Sequence, residues 1–540
     1  MPGIRSPGNP AYAGHAATLQ QRFRQKKCVE IQKREENKVK KNVLILHCDQ
    51  LKADCLGFSG NSFVRTPNID ELAKEGTVFS QHIASAATCM PSRASLLTGL
   101  YPPAHGVWIN GVPLNRKEYF HPMKKPAFSQ WNDMPVLATD DIPTMADIFS
   151  DAGYDTIALG KLHLTPNMAS TEYGFQESYL AWENNSLNDW NGPYYGFKKV
   201  ALTCSHGEEL AYYGHYAKWL AREYPEISKN AKECAVKAER LVPELDDFYE
   251  SAIPAEAHNT TWIANQFKDY IDDKSEDKPF FAFLGFPDPH HPFTPSPEIF
   301  EMFKDSDVHE ISDLDGLGVK GTFTENAAQN VSKLSEKARE DVIRATYAMI
   351  YQIDQAIGKI IKTLKEKKLW DNTTIVFTSD HGDYLCDHGL LRKSVYASDT
   401  LLRIPCIIRD PDIKQDDFLD YPTSNCDILP TLANLANVKF PDNLHGKNMF
   451  DVNDENSAFA YSFTGNAKET GYTVYRENCR FTYYPNAHKG ELFDHSKDKG
   501  EINNLYKSPE QQKQIDKFKN IIKEELFEKY NPMSARLAHW

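Results

Sequence analysis

Thr374-Ile375-Val376-Phe377, running through Thr378 into Ser379-Asp380-His381-Gly382-Asp383, joins a β-branched apolar run to an abrupt polar cluster. A near-continuous run of this kind predicts a strand buried on both faces, as in a parallel sheet covered by helices. Three other stretches repeat the pattern. Val43-Leu44-Ile45-Leu46 leads to Asp49-Gln50, and Thr156-Ile157-Ala158-Leu159 leads to Gly160-Lys161-Leu162-His163. Phe280-Phe281-Ala282-Phe283-Leu284 leads through Phe286-Pro287-Asp288-Pro289 to His290-His291-Pro292. Helical patterns lie between them, the clearest being Ile343, Tyr347, Ile350, Ile357, Ile361 and Leu364, spaced three, four or seven apart. Alternating strands and helices predict an α/β fold, in which ligands bind beyond the carboxyl ends of the strands. All four polar clusters fall at that end, so residues far apart in the chain are expected to meet in one crevice.

At 540 residues the chain exceeds the size at which a single core stops growing. A polar arm is expected over residues 1–40, a catalytic unit over 41–430 and a small α+β unit over 431–540. The arm is rich in Lys, Arg and Gln and lacks the apolar segment of a secretory signal. The stretch at about 165–257 is rich in Tyr, Trp, Glu and Lys and reads as a helical insertion that could wall the crevice. Its Tyr194, Tyr195, Tyr212, Tyr213 and Trp219 suit either sugar stacking or helix packing. In the C-terminal unit, Tyr472-Thr473-Val474-Tyr475 and Arg480-Phe481-Thr482-Tyr483-Tyr484 are strand-like, and a helix is predicted from about Pro509 to Tyr530.

The net charge of −14 disfavours a nucleic-acid partner. No apolar run is long enough to cross a membrane. Ten cysteines are scattered without CxxC pairs, which reads as buried reduced thiols rather than a disulfide framework and favours a cytoplasmic protein. An anionic substrate would require positive charge concentrated locally, and the polar clusters supply it.

Asp49 and Asp380 are hard oxygen donors, and with the Gln50 amide and the His381 imidazole they can hold one divalent cation. Cys89 stands just before a predicted helix beginning near Arg93, where a helix N-terminus favours an anionic group and an anionic substrate. It is not a tyrosine-phosphatase loop, because Ser95 stands six residues on where an arginine is needed. A lone Cys89 would otherwise be a buried or mildly reactive thiol. Lys393 alone would be a solvated lysine.

Cys89-Met90-Pro91-Ser92-Arg93, continuing into Ala94-Ser95-Leu96-Leu97-Thr98-Gly99, resembles the maturation sequence of type I sulfatases. The resemblance runs from about Lys41 to Tyr506, in the family's motif order. Gly160-Lys161-Leu162-His163, Pro289-His290-His291-Pro292, Asp387-His388-Gly389 with Lys393, Arg403-Ile404-Pro405 and Glu491-Leu492-Phe493-Asp494 all have counterparts. The implied fold is that of alkaline phosphatase: a large mixed sheet sandwiched by helices, with a smaller C-terminal antiparallel sheet plus helix. The implied chemistry converts Cys89 to formylglycine with the help of a maturation enzyme and hydrolyses a sulfate ester at a divalent metal, calcium by family default and manganese as the alternative. On this resemblance Arg93, Lys161 and Lys393 neutralise sulfuryl charge, His290 protonates the leaving alcohol and His163 is a candidate base. His291 is the reserve for His290. Asn110 resembles an active-site asparagine of one branch, although Asn-Gly is also an ordinary turn.

Many sulfatases carry two adjacent aspartates after the first strand and an asparagine as the last ligand. Here the pairs are Asp49-Gln50 and Asp380-His381, which resembles the branch containing choline sulfatase and the phosphonate monoester and phosphodiester hydrolases. A sulfate ester of a carbohydrate or small aryl or alkyl alcohol is the leading substrate. A phosphonate monoester or phosphodiester is the alternative. A non-catalytic binding protein of the same fold is the remote one, and would be expected to have lost the cysteine, the lysines or the metal ligands.

Overall fold

The computed structural model describes residues 40–117, 141–237, 240, 242, 245–274, 278–309, 320–325, 331, 334–413, 418–451, 460–466 and 469–529. The expected arm at 1–40 lies outside them except for Lys40. Strand β1 (Asn42–Cys48) is buried along its whole length. Leu44, Leu46 and Cys48 enter the core on one face of the sheet, and Val43 and Ile45 enter the core on the other. That two-sided burial is why the run shows no polar alternation.

The other strands of the large sheet are β2 (Thr77–Ile83), β3 (Asp155–Gly160), β4 (Lys199–Leu202), β5 (Phe280–Phe286), β6 (Thr373–Ser379), β7 (Arg403–Ile404), β8 (Cys406–Arg409) and β9 (Phe418–Ser424). The order is β4-β3-β5-β1-β6-β8-β2-β7, with β9 also pairing β2. From β4 to β6 every pairing is parallel, whereas β8 runs antiparallel to β6 and to β2. The four strands read from their apolar runs are therefore neighbours, β3-β5-β1-β6, and their polar clusters leave from one edge. The periodic stretch at 343–364 lies within the helix Glu336–Glu366, whose buried side includes Ile343, Tyr347, Ile350, Ile357 and Leu364.

Close approach at the strand ends is set by two glycines. A Cβ on Gly285 would lie 2.0 Å from the Lys161 carbonyl oxygen, and the Lys161 N–H donates to the Gly285 carbonyl at 2.7 Å. Gly160 has φ +85, a conformation L side chains rarely adopt. Together they let the chain leave β3 directly over β5 and carry Lys161 into the crevice.

Two expectations need correcting. The stretch 165–257 is not only helical: beside the helices Tyr179–Glu183, Gly214–Glu223 and Pro225–Lys237 it carries β4, which extends the main sheet. The break expected at 430/431 falls inside the helix Ile428–Leu435, whose Leu432, Ala433 and Leu435 pack in the large-sheet core.

The C-terminal sheet is antiparallel, β10 (Ala460–Asn466), β11 (Glu469–Arg476), β12 (Cys479–Tyr484) and β13 (Lys489–Asp494) in sequential order. The helix Gln512–Lys529 covers it, with Phe518 stacked on Phe481 at 5.5 Å. Its buried anchor is Arg480, which donates to both Glu501 oxygens at 2.6 and 2.8 Å and to Glu491 at 3.0 Å. The backbone N–H of Asp399, at the edge of the large unit, donates to Glu501 Oε2 at 3.0 Å, so the same carboxylate links that unit to the C-terminal sheet. Arg480→Met would leave Glu491 and Glu501 buried without the guanidinium, with His495 and the Asp399 N–H still on Glu501, and a loss of about 3–5 kcal/mol is expected in a urea titration.

The nine cysteines among the described residues are free thiols, eight of them buried. No helix among those residues is long and apolar enough to cross a membrane.

Candidate active site

The helix Cys89–Thr98 begins at Cys89 itself, after an extended Thr88 that offers it no side-chain cap. Asn110 supplies the missing acceptor, its Oδ1 taking the Met90 N–H at 3.0 Å. The structure thus places Asn110 against the backbone beside residue 89. Cys89 is 1% exposed, yet its surroundings are polar. Sγ lies 2.9 Å from Lys393 Nζ, 3.3 Å from His381 Nε2 and 3.7 Å from Asp49 Oδ1. Burial and Asp49 push the thiol pKa up, but Lys393, Lys161 and His381 outweigh them and hold it well below that of an ordinary thiol.

Arg93, one turn further along the helix, is completely buried between the two aspartates. Nε donates to Asp380 Oδ2 at 2.8 Å and Nη2 to Asp49 Oδ2 at 3.2 Å, while Nη1 caps the Lys161 carbonyl at 3.0 Å. The sequence expectation put this guanidinium on the sulfuryl oxygens. Each of its three nitrogens makes a contact within the protein, so it also orients and balances the carboxylates.

By gripping the outer oxygens, Arg93 leaves Oδ1 of each aspartate turned toward His381 Nε2, 3.7 Å from both. His381 Nδ1 donates to the Gly382 carbonyl at 2.8 Å, so Nε2 is the ring nitrogen that faces the carboxylates. Asp49, Cys89, Asp380 and His381 each offer a donor atom within 4.8 Å of the others. Gln50 adds a buried amide oxygen with no hydrogen-bond partner. Its amide nitrogen closes on Asp383 Oδ2 and His291 Nδ1, so the oxygen is the atom left over for a ligand. Two carboxylate oxygens, an amide oxygen and an imidazole suit one hard divalent cation.

The basic side chains gather around this cluster. Lys161 Nζ contacts Asp49 Oδ2 and His206 Nε2. Lys393 Nζ contacts His290 Nε2 at 2.9 Å and His381 Nε2 at 3.2 Å. His290 is stacked between His206 (3.7 Å) and His291 (4.0 Å). Burial, His206 and Lys393 hold the His290 pKa well below that of a free imidazole. His291 buttresses that stack and reaches Gln50. His163 stands apart: it adopts φ +56, its Nδ1 is buried without a partner, and no hydrogen bond links its ring to Cys89, Asp49, Asp380 or Lys393.

His206 is the residue sequence reasoning missed. It follows β4, whose apolar part, Val200-Ala201-Leu202, is only three residues long and follows a lysine. The signal was the same as for the other clusters, a strand ending in polar residues, but it lay in a stretch read as helical. Of the aromatics in that stretch, Tyr194 and Tyr195 are buried and Trp219 packs on Tyr216.

A carboxylate pair ready for a cation, a cysteine at a helix N-terminus and a ring of lysines and histidines make a centre for cleaving an anionic ester. The chain belongs to the sulfatase family, whose pattern matches residues 41–438, within the alkaline phosphatase superfamily, and it is a sulfuric ester hydrolase. A second pattern, N-sulphoglucosamine sulphohydrolase C-terminal, matches residues 386–528. An arylsulfatase of Clostridium perfringens is 28% identical over 502 residues, covering 90% of this chain and 95% of its own. A choline-sulfatase of Rhizobium meliloti is 25% identical over 488 residues, covering 87% and 83%. Among solved structures, the phosphonate monoester hydrolase of Agrobacterium radiobacter shares the fold with a TM-score of 0.68 at 23% identity, covering 90% of this chain and 95% of that one.

Proposed function

We propose that the protein hydrolyses the sulfate ester of a carbohydrate or a small aryl or alkyl alcohol, using formylglycine made from Cys89 by a maturation enzyme beside one divalent cation. The observation that carries this reading is the position of Cys89: first residue of its helix, within 3.3 Å of His381 and 2.9 Å of Lys393. Asp49, Gln50, Asp380 and His381 would hold the cation, calcium first and manganese second, and it would supply Lewis-acid polarisation of oxygens bound to it. Hydrated formylglycine supplies two hydroxyls on one carbon, one to attack sulfur and one whose collapse to the aldehyde expels sulfate.

The chain's own groups do the rest. Lys393 and Lys161 offset charge on the sulfuryl oxygens, the largest expected contribution to the rate, and His206 stands with Lys161 on that side. His290 is the candidate acid for the leaving oxygen, and Lys393 is in hydrogen-bond contact with its Nε2. His163 is the candidate base for the second stage. Asn110 and the helix N-terminus fix the direction from which residue 89 presents its side chain, and His291 steadies His290.

The Asp49-Gln50 and Asp380-His381 pairs also support a second reading, hydrolysis of phosphonate monoesters or phosphodiesters. The deciding assay uses protein shown by peptide mass spectrometry to carry the aldehyde at position 89. Rates are compared for the sulfate monoester and the phosphonate monoester of 4-nitrophenol. A preference for sulfate is expected, and a large preference for phosphonate would reverse the ranking.

A further inference from the structure

The chain leaves β3 through Lys161-Leu162-His163-Leu164-Thr165, and the backbone N–H groups of the last three residues all point at one side chain. Glu177 Oε1 accepts from His163 N, and Oε2 accepts from Leu164 N at 2.7 Å, Thr165 N at 3.0 Å and Thr165 Oγ1 at 3.3 Å. Tyr194 OH adds a fifth bond at 2.8 Å. Glu177 is 2% exposed, and every donor it meets comes from this turn or from Tyr194. Successive N–H groups around a left-handed residue form a concave anion cradle, and here the anion is the protein's own carboxylate.

The two basic residues of the turn, Lys161 and His163, are not held alike. Lys161 is fixed by strand contacts, its N–H on the Gly285 carbonyl and its carbonyl on Arg93. His163 has no such support. A non-glycine residue at φ +56 persists only where its surroundings determine it, and Glu177 is the group that receives its N–H. Leu162 is anchored in the core between them, so the direction of the His163 ring depends on how the chain turns after it.

We infer that Glu177 is a positioning residue for His163: by clamping three consecutive N–H groups, it holds the left-handed turn that aims the imidazole. This rests on the reading of His163 as part of the reaction given above. Because Glu177 and Tyr194 both belong to the stretch beyond β3, the clamp also ties that stretch to the catalytic turn. Glutamine cannot replace it, since its NH2 would face an N–H donor and leave at least one of them unpaired.

The test is a double-mutant cycle on matured protein with 4-nitrophenyl sulfate, or with the phosphonate ester should that be the better substrate. Glu177→Gln is expected to lower kcat on the order of 10- to 100-fold, the range a misplacement of about 1 Å produces, with KM changed far less. In a His163→Ala background the same substitution should cost less than about twofold, because its effect passes through a ring already removed. Losses that multiply, a fully active His163→Ala, or a Glu177→Gln enzyme with unchanged kcat would each overturn the inference. Should Glu177→Gln not fold, Tyr194→Phe removes one of the five bonds. It should give a smaller kcat loss that likewise vanishes with His163→Ala, and a loss that persists there overturns the inference. Whether the wild-type enzyme turns over the sulfate ester tests the proposed function separately from these ratios.

Discussion

Cys89→Ala is expected to lower kcat toward 4-nitrophenyl sulfate by about 10^4-fold or more, the scale on which enzymes respond to loss of a covalent nucleophile. The melting temperature should stay within a few degrees of wild type. Residue 89 is buried, but its neighbours are charged side chains rather than close-packed apolar ones, so little packing is lost with the sulfur. Lys393 retains His290 and His381 as partners. Cys89→Ser sharpens the result. Serine offers one hydroxyl, so it can attack once but cannot expel sulfate by collapsing to an aldehyde, and at most one equivalent of nitrophenol per enzyme is expected. Steady turnover by either variant would remove residue 89 from the chemistry.

Arg93→Met is expected to lower the melting temperature sharply. The guanidinium lies between Asp49 and Asp380 with no exposed surface on any of the three side chains. Removing it leaves two buried carboxylates facing each other, and breaking a buried pair from one side costs about 3–5 kcal/mol. Lys161 remains on Asp49, whereas Asp380 loses the one lysine or arginine paired with it among the described residues. A divalent cation that binds only the folded state should restore part of the loss by mass action. Calorimetry with chelator and then with excess calcium checks both halves: a large drop in melting temperature in the first, and a larger calcium-induced rise than wild type shows in the second. An unchanged melting temperature in chelator would mean that the aspartates do not depend on Arg93.

The site was legible in the sequence wherever a buried strand ended abruptly. β1, β3, β5 and β6 are buried on both faces, so the polar cluster that follows each marks the crevice edge. Asp49, Lys161, His290 and Asp380 all belong to those clusters, and the structure brings them together. β4 escaped because its apolar run is short and opens at Lys199. The boundary expected at 430/431 cuts the helix Ile428–Leu435, because an early proline, Pro430, is tolerated in a helix and the apolar side chains that follow it still pack on the large sheet.

Residue types and motif order alone specified an α/β sheet and the crevice edge, and singled out candidate cation donors and the cysteine, because strand burial and ligand chemistry are written locally. Partnership was decided only in three dimensions. That Arg93 serves the aspartates, that His206 joins Lys161, and that Glu177 grips the turn of His163 all depend on contacts between segments that the order of residues leaves unspecified. A charged side chain taken out of water settles on whichever opposite group the packing brings within reach, and that choice belongs to the assembled sheet.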